Sequence, residues 1–122
     1  MRIFLLTLIL VIVTAFSASA QPVVYVGSNN NNTVSVIDVP TNQIVDTFII
    51  FEGSVSDVAV SPDQSMVFFG GFSDFINVVD TSNNDIIATV DGCLVNGLDI
   101  TPDVTRLFIV SSNTDTLKVL RL

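Results

Sequence analysis

Short runs of apolar and β-branched residues alternate with clusters of turn-forming residues along most of the chain. Val, Ile and Thr dominate these runs, and such residues favour the pleated surface of a sheet. No stretch keeps the spacing of about 3.6 residues that an amphipathic helix needs. The pattern predicts an all-β fold with ten strands, at Val23–Ser28, Thr33–Val39, Gln43–Phe51, Asp57–Ser61, Met66–Gly70, Phe75–Asp80, Asp85–Val90, Gly97–Thr101, Arg106–Ser111 and Thr116–Leu120.

Two of the clusters between these runs have the composition of tight hairpins. They are Pro40-Thr41-Asn42 and Ser82-Asn83-Asn84. Asn tolerates the left-handed backbone conformation, and Ser and Asn side chains bond to their own backbone. The sequence therefore predicts antiparallel pairing on both sides of each cluster.

The predicted strands also repeat along the chain. Ser61-Pro62-Asp63 returns as Thr101-Pro102-Asp103, and Val67-Phe68-Phe69 returns as Leu107-Phe108-Ile109. An earlier copy of the second motif is Val24-Tyr25-Val26. Four short strands in about forty residues make one blade of a β-propeller, a unit that buries its faces only by stacking on neighbouring blades.

The order of these motifs resembles the YVTN family of β-propeller repeats, which occurs in secreted bacterial proteins and archaeal surface-layer proteins. Tyr25-Val26-Gly27-Ser28 is close to the tetrapeptide that names the family, and Val34-Ser35-Val36-Ile37-Asp38 precedes a Thr-Asn hairpin. Gln64 and Val104 stand where the family repeat usually has Gly. The resemblance implies propeller blades in an exported protein, and it implies no particular ligand.

The number of predicted strands is too small for a closed propeller. Residues 21–51 form a partial blade, residues 55–90 a full blade and residues 94–122 a second partial blade, which makes an open array of about two and a half blades. Closed propellers have roughly 4 to 8 blades. We expect the chain to be a truncated part of a longer array rather than a natural small module, and to self-associate through its uncovered faces and edges.

The first twenty residues have the pattern of a signal peptide. Met1 and Arg2 give a basic start, Ile3 to Phe16 is an apolar run, and Ala18-Ser19-Ala20 is a small-residue exit. The alternative, a single-span anchor, needs roughly 20 apolar residues and this run is shorter. The sequence predicts cleavage after residue 20 and a secreted, periplasmic or cell-surface protein, with membrane attachment only through an uncleaved leader.

The composition excludes several kinds of chemistry. The chain has no His and one Cys, so neither a His-based catalytic triad nor a His or Cys metal cluster can form. With 4 Lys and Arg against 12 Asp and Glu, its net charge of −8 argues against nucleic acid. We assign no catalytic residue, metal or cofactor from the sequence. The lone Cys93 is expected to be buried, with pairing to another chain as the alternative.

A few residues remain as candidates for binding. Asp57 and Asp99 lie on predicted innermost strands, which face the central channel of a propeller, where two carboxylates could form an acid/base pair or bind a cation. Asn30 and Asn31 lie in a loop that could contact a partner, and Phe72 could be an exposed aromatic anchor. The competing interpretations are solvated carboxylates, a solvated loop and an aromatic ring packed on a neighbouring blade.

Two classes of function stay open at this point. The first is a non-catalytic extracytoplasmic module that binds a protein, glycan or surface-layer partner, or serves as a structural scaffold. The second is a fragment of an enzymatic propeller of the lactonase or dehydrogenase kind. The absence of His and of a strong carboxylate cluster favours the first.

Overall fold

A computed structural model describes residues 21–50, 54–91 and 94–122 of the chain. The predicted signal peptide and Cys93 lie outside the described residues. The described part contains ten β-strands and no helix, hence no helix that is long and apolar enough to cross a membrane. The strands are β1 Val23–Gly27, β2 Thr33–Asp38, β3 Gln43–Ile49, β4 Val55–Val60, β5 Met66–Gly71, β6 Phe75–Asp80, β7 Asp85–Asp91, β8 Gly97–Ile100, β9 Arg106–Ser111 and β10 Thr116–Arg121.

The ten strands form three antiparallel sheets arranged as an open array. The first sheet has the order β1-β2-β3, the second β4-β5-β6-β7 and the third β10-β9-β8. Every pair of hydrogen-bonded strands is also consecutive in the chain. The predicted all-β fold of partial propeller blades is confirmed.

The observed strands end within two residues of the predicted ones, and a bulge explains one of the two-residue differences. β4 begins at Val55 and not at Asp57, because a bulge between these residues lets Val55 continue the pairing with Gly71. Two further bulges match each other in the repeat. One lies in β3, opposite Val36 and Ile37 of β2, and the other lies in β7, opposite Val78 and Val79 of β6. An extra residue in one strand breaks the alternation that sequence patterns depend on.

Consecutive side chains of β5 supply the two cores of the molecule. Phe68 points into the core between the second and third sheets, and Phe69 points into the core between the first and second. This division follows from the period of two along a strand. The Phe69 ring makes edge contacts with Tyr25 and Phe48, with ring centroids 6.1 and 6.0 Å apart.

Each core joins one pair of neighbouring sheets. The core between the first and second sheets is built around the buried residues Val34, Ile50, Val55, Val67, Phe69 and Val79. The core between the second and third sheets is built around Ala59, Phe68, Ile76, Val78, Val95, Leu107 and Ile109. The second sheet is thus covered on both faces, and the other two sheets are each covered on one.

The predicted hairpins adopt the expected left-handed turns. Asn42 and Asn84 have φ values of 55° and 59°. Their backbone amides donate to the carbonyl oxygens of Asp38 and Asp80, at 2.8 and 2.9 Å. Asn is the residue that tolerates this conformation best after Gly, which explains why both repeats place it here.

The turns after β4 and β8 are also left-handed, but they contain residues that suit this conformation poorly. Gln64 has a φ of 61° and Val104 a φ of 58°. Their amides donate to the carbonyls of Ser61 and Thr101, at 2.7 and 2.9 Å. Both turns keep the left-handed conformation although neither residue is Gly, Asn or Asp.

Candidate functional site

The connections between strands lie on two rims of the array. Residues 28–32, 72–74 and 112–115 each connect a second and a third blade strand, and we call the edge that they form the loop rim. The Pro-Asp turns and the Asn hairpins form the opposite edge, the turn rim. Because equivalent strands run in the same direction in each repeat, their following loops lie at the same end of the sheets.

Asn30 and Asn31 lie on the loop rim and are both exposed. The Asn31 side-chain carbonyl accepts a hydrogen bond of 2.7 Å from the Thr33 hydroxyl. The Asn30 backbone amide donates to Ser28 Oγ at 3.4 Å. These bonds fix the loop, and they leave the Asn30 side chain directed to solvent.

Phe72 lies on the same rim as the two asparagines. Its side chain is 57% exposed, which is unusual for a large aromatic residue beside a well-packed strand. The Ser73 hydroxyl donates to the carbonyl of Phe75 at 3.2 Å and closes the loop that holds the ring. The ring is therefore presented to solvent and is not packed in either core.

Asp57 lies on the face of the second sheet that faces the third sheet. Its Oδ2 accepts a hydrogen bond of 2.6 Å from the backbone amide of Leu98. Its Oδ1 accepts one of 2.9 Å from the amide of Val58. Both carboxylate oxygens are thus engaged by backbone donors, one of them across the boundary between two sheets.

Asp99 lies on the opposite face of the third sheet. It is exposed and pairs with Phe108 in the β8–β9 ladder, and its Oδ1 accepts a hydrogen bond of 2.9 Å from the Ile100 amide. Leu107 and Ile109, which flank Phe108, point towards the second sheet. The structure therefore does not bring the Asp57 and Asp99 carboxylates onto one face.

The aspartates of the two Pro-Asp turns act as local hydrogen-bond acceptors. Asp103 accepts from the Thr101 hydroxyl at 2.6 Å, and from the Thr105 hydroxyl and amide at 2.7 and 3.1 Å. These bonds, that from Thr101 first, lower the pKa of Asp103 from 3.8 to about 2. Asp63 makes the equivalent bonds with Ser61 and with a neighbouring serine, which lower its pKa as well.

A side-chain bridge between the first and second sheets was not predicted from the sequence. The Tyr25 hydroxyl donates to Asn84 Oδ1 at 3.2 Å, and Asn84 Nδ2 donates to Asp46 Oδ2 at 2.6 Å. Burial raises the pKa of Tyr25, and the negative charge of Asp46 raises it further. The hairpin position of Asn84 was visible in the sequence, but its second role needs the neighbouring sheet.

A cavity of about 340 Å³ lies on the turn rim between the first and second sheets. Its polar side chains come from Gln21, Tyr25, Gln64 and Thr81, and its apolar wall includes Val60. No carboxylate lines it. Across the ranges that the structure describes, no group of three or more His, Cys, Asp or Glu side chains is arranged to hold a metal ion.

Comparison with known proteins supports the fold and gives no family. No family model and no curated protein matches the chain. Among solved structures, the chain is similar to hydrazine synthase of Kuenenia stuttgartiensis, a β-rich propeller-like protein, with a TM-score of 0.75 and 19% sequence identity. The match covers 81% of this chain, which spans 29% of the length of that protein. At this identity the likeness shows a propeller-like fold alone.

Proposed function

We propose that the chain is a non-catalytic extracytoplasmic module of YVTN-like propeller repeats, which binds or displays a partner through its loop rim. The observation that supports this proposal is that the two candidate carboxylates, Asp57 and Asp99, do not form a pair. Both oxygens of Asp57 accept backbone hydrogen bonds, and Asp99 lies on another face. An acid/base pair needs two groups that reach one substrate, so the enzymatic alternative loses its best candidate pair.

The chemistry of the loop rim suits a neutral polar partner. Asn30 and Asn31 supply amide groups, Ser112 and Thr114 supply hydroxyls, and Phe72 supplies an exposed apolar ring. Such a mixture of donors, acceptors and one aromatic surface fits a glycan or the polar surface of another protein. A rigid aromatic residue among adaptable polar groups is also the composition of antibody paratopes.

A binding experiment tests the role of the rim. Phe72→Ser and Asn30→Ala/Asn31→Ala are compared with the unchanged chain for binding to an array of neutral glycans and to an envelope preparation of the cell that makes the protein. We expect the Phe72 change to weaken binding about tenfold or more. Ile87→Ser is the matched control, because Ile87 is similarly exposed but lies on β7, away from the rim. An equal loss with the control would contradict the proposal.

The proposed location depends on residues 1–20 and is tested separately. Mass spectrometry of the exported protein should show an N-terminus at Gln21. Ala20→Phe should block processing, because a bulky residue does not fit the small-residue exit. A full-length product that keeps Met1 and stays in the membrane fraction would contradict an exported, cleaved protein.

The enzymatic alternative has its own test. The purified chain is incubated with a γ-lactone and a simple ester, and the same assay is run on Asp57→Asn and Asp99→Asn. We expect no turnover above the uncatalysed rate. Turnover that is abolished in a variant whose circular dichroism shows it to be folded would show that a carboxylate acts as a general base, and the non-catalytic proposal would be abandoned.

A further inference from the structure

The first sheet has an open apolar face on the side away from the second sheet. Val24 and Val26 lie on this face and are 47% and 46% exposed. Their equivalents in the second sheet, Val67 and Phe69, are fully buried against the first sheet. The same repeat positions are therefore apolar in both sheets. They are exposed in the first sheet, and in the second sheet they are covered by the first.

The third sheet has the complementary open face, on the side away from the second sheet. Leu117 and Val119 lie there and are 62% and 49% exposed. Their equivalents in the second sheet, Ile76 and Val78, are 0% and 6% exposed, in the core against the third sheet. The open face of the third sheet therefore corresponds to a surface that is covered by a following sheet.

The internal repeat makes these two open faces equivalent to a pair of faces that already pack together in the array. If the open face of the third sheet packed on the open face of a first sheet, the contact would repeat the packing already present between consecutive sheets of the array. What could cover the third sheet is then either another four-stranded blade or the first sheet of a second copy. The inner edge of the third sheet distinguishes these two possibilities.

The third sheet lacks the group that holds a following inner strand. In the second sheet Asp57 accepts a hydrogen bond from Leu98, the second residue of the next inner strand β8. By the repeat, Asp57 corresponds to Gly97 in the third sheet, as Ser61 corresponds to Thr101. Gly97 offers no side-chain acceptor, so an inner strand that followed here would lose this bond.

The third sheet also lacks the space that a following connector needs. A Cβ placed on Gly70 would lie 2.7 Å from a methyl group of Val95, in the connector that leads to β8. A Cβ placed on the corresponding Gly27 would lie still closer to a methyl group of Val55, at 2.2 Å. In the third sheet this position is Val110, whose side chain would occupy the place of such a connector valine.

A third departure lies at the same inner edge. Ala59 is only 8% exposed because it faces the third sheet, whereas its equivalent is Asp99, an exposed charge. A charge is costly to bury without a partner, so a following inner strand would be disfavoured here. The outer positions of this face, Phe108, Leu117 and Val119, stay apolar. The face therefore matches a neighbour that has outer strands and no inner strand.

The first sheet is such a neighbour. Within the described residues it has three strands, begins with β1 and contains no equivalent of β4. At the inner edge, the first sheet therefore matches the open face of the third sheet.

We propose that two copies of this chain assemble head to tail, with the open face of each third sheet packed on the open face of the partner's first sheet. Two such contacts close a ring of six sheets, which lies within the range of roughly 4 to 8 blades known for closed propellers. Three copies would give nine sheets and leave this range. The inference concerns assembly and holds whether the loop rim binds a glycan, a protein or neither.

Sedimentation and native mass spectrometry of the full chain test this assembly. The unchanged chain is expected at twice the mass of one chain. Leu117→Asp should give monomers, because it places a charge at the centre of one contact face, and Val26→Asp should do the same from the other face. Ile87→Asp is the matched control, since Ile87 is 55% exposed but lies on the second sheet, and this variant should stay dimeric.

A mixing experiment decides whether the contact is head to tail. The Leu117→Asp chain keeps the open face of its first sheet unchanged, and the Val26→Asp chain keeps the open face of its third sheet unchanged. These two faces can still pack together, so an equimolar mixture should form a one-to-one complex. A contact between two identical faces would instead leave one of the variants dimeric by itself. A mixture that remains monomeric, or a single variant that remains dimeric, overturns the proposal.

Hydrogen exchange of the unchanged chain gives a test without any substitution. Dilution below the dissociation constant should increase exchange in β1 and β10 and leave β5 and β6 protected, because the central sheet is covered in both states. A chain that sediments as a compact monomer at all concentrations, with constant exchange in β1 and β10, would also overturn the proposal.

Discussion

The backbone amide of Leu98 donates a 2.6 Å hydrogen bond to Asp57 Oδ2, and this bond joins the inner strands of two consecutive sheets. Leu98 packs against the apolar core between the second and third sheets, so the bond lies beside that core. A bond from an amide to a carboxylate is stronger than one between neutral groups. Asp57 is therefore a structural residue, although its position on an inner strand is the one at which propellers often bind ligands.

The first prediction concerns this bond. Asp57→Ala should lower the free energy of unfolding by about 1–3 kcal/mol, because it leaves the Leu98 amide unpaired in a partly buried place. Asp99→Ala should change it by less than about 0.5 kcal/mol, since Asp99 is exposed and bonds only to an adjacent amide. Urea unfolding followed by circular dichroism measures both. Equal effects of the two substitutions would contradict the structural role of Asp57.

The different roles of Asp57 and Asp99 were not predicted from the sequence, although a signal was present. Both residues lie on inner strands, and this similarity suggested a pair. The repeat, however, aligns Asp57 with Gly97 and Asp99 with Ala59. The two aspartates lie on equivalent faces of their sheets, because a displacement by two residues keeps the face of a strand. The third sheet packs on the face that carries Asp57, whereas no sheet in the described residues packs on the face that carries Asp99.

The second prediction concerns the close approach of Gly27 to Val55. A Cβ at position 27 would lie 2.2 Å from Val55 Cγ1, so Gly27→Ala should destabilise the protein by roughly 1–3 kcal/mol. Val55→Gly removes both obstructing groups, the Cγ methyls and the Cβ that would lie 2.4 Å from the new Cβ. The double variant should therefore lose at least about 1 kcal/mol less than the sum of the single variants in urea unfolding. Strict additivity would show that the two side chains do not meet.

The third prediction concerns the strained turn at Val104. A β-branched residue with a φ of 58° is rare, and the left-handed conformation costs L-residues roughly 1–2 kcal/mol. Val104→Gly should raise the free energy of unfolding by about 1 kcal/mol, reduced by the greater freedom of Gly in the unfolded chain. Val104→Ala should gain less, because it keeps the Cβ. A thermal melt showing the Gly variant less stable than the unchanged chain would contradict this account.

The fourth prediction concerns acid. The hydrogen bonds of Asp103 lower its pKa to about 2, below its ordinary 3.8, so their stabilisation is complete above pH 4. It should be lost progressively as the pH falls from 3.8 to about 2, because in this range the unfolded chain takes up the proton and the folded chain does not. Urea unfolding between pH 5 and pH 2 should show this slope. Thr101→Val should flatten it, whereas Thr101→Ser keeps the hydroxyl donor and should preserve it; identical slopes for both would contradict the assignment.

The sequence predicted the regular part of the fold well and the irregular part less well. All ten strands were expected, because β-branched runs between Asn and Pro clusters leave few alternatives. The bulge at Ser56 was not expected, since no residue type is specific for it, and the bridge from Tyr25 through Asn84 depends on a neighbouring sheet. Contacts between repeats are set by side chains that lie far apart in the chain, and a period alone does not reveal them.

The pairing of each strand with its neighbour in the chain also determines how the protein can fold. No ladder in the described residues has to wait for a distant segment, so the loops that must close before pairing are short. Low sequence separation of this kind favours rapid folding. A sheet of this chain can form while later residues are still emerging, and each completed sheet then offers a folded surface to the next one, from the N-terminal end onwards.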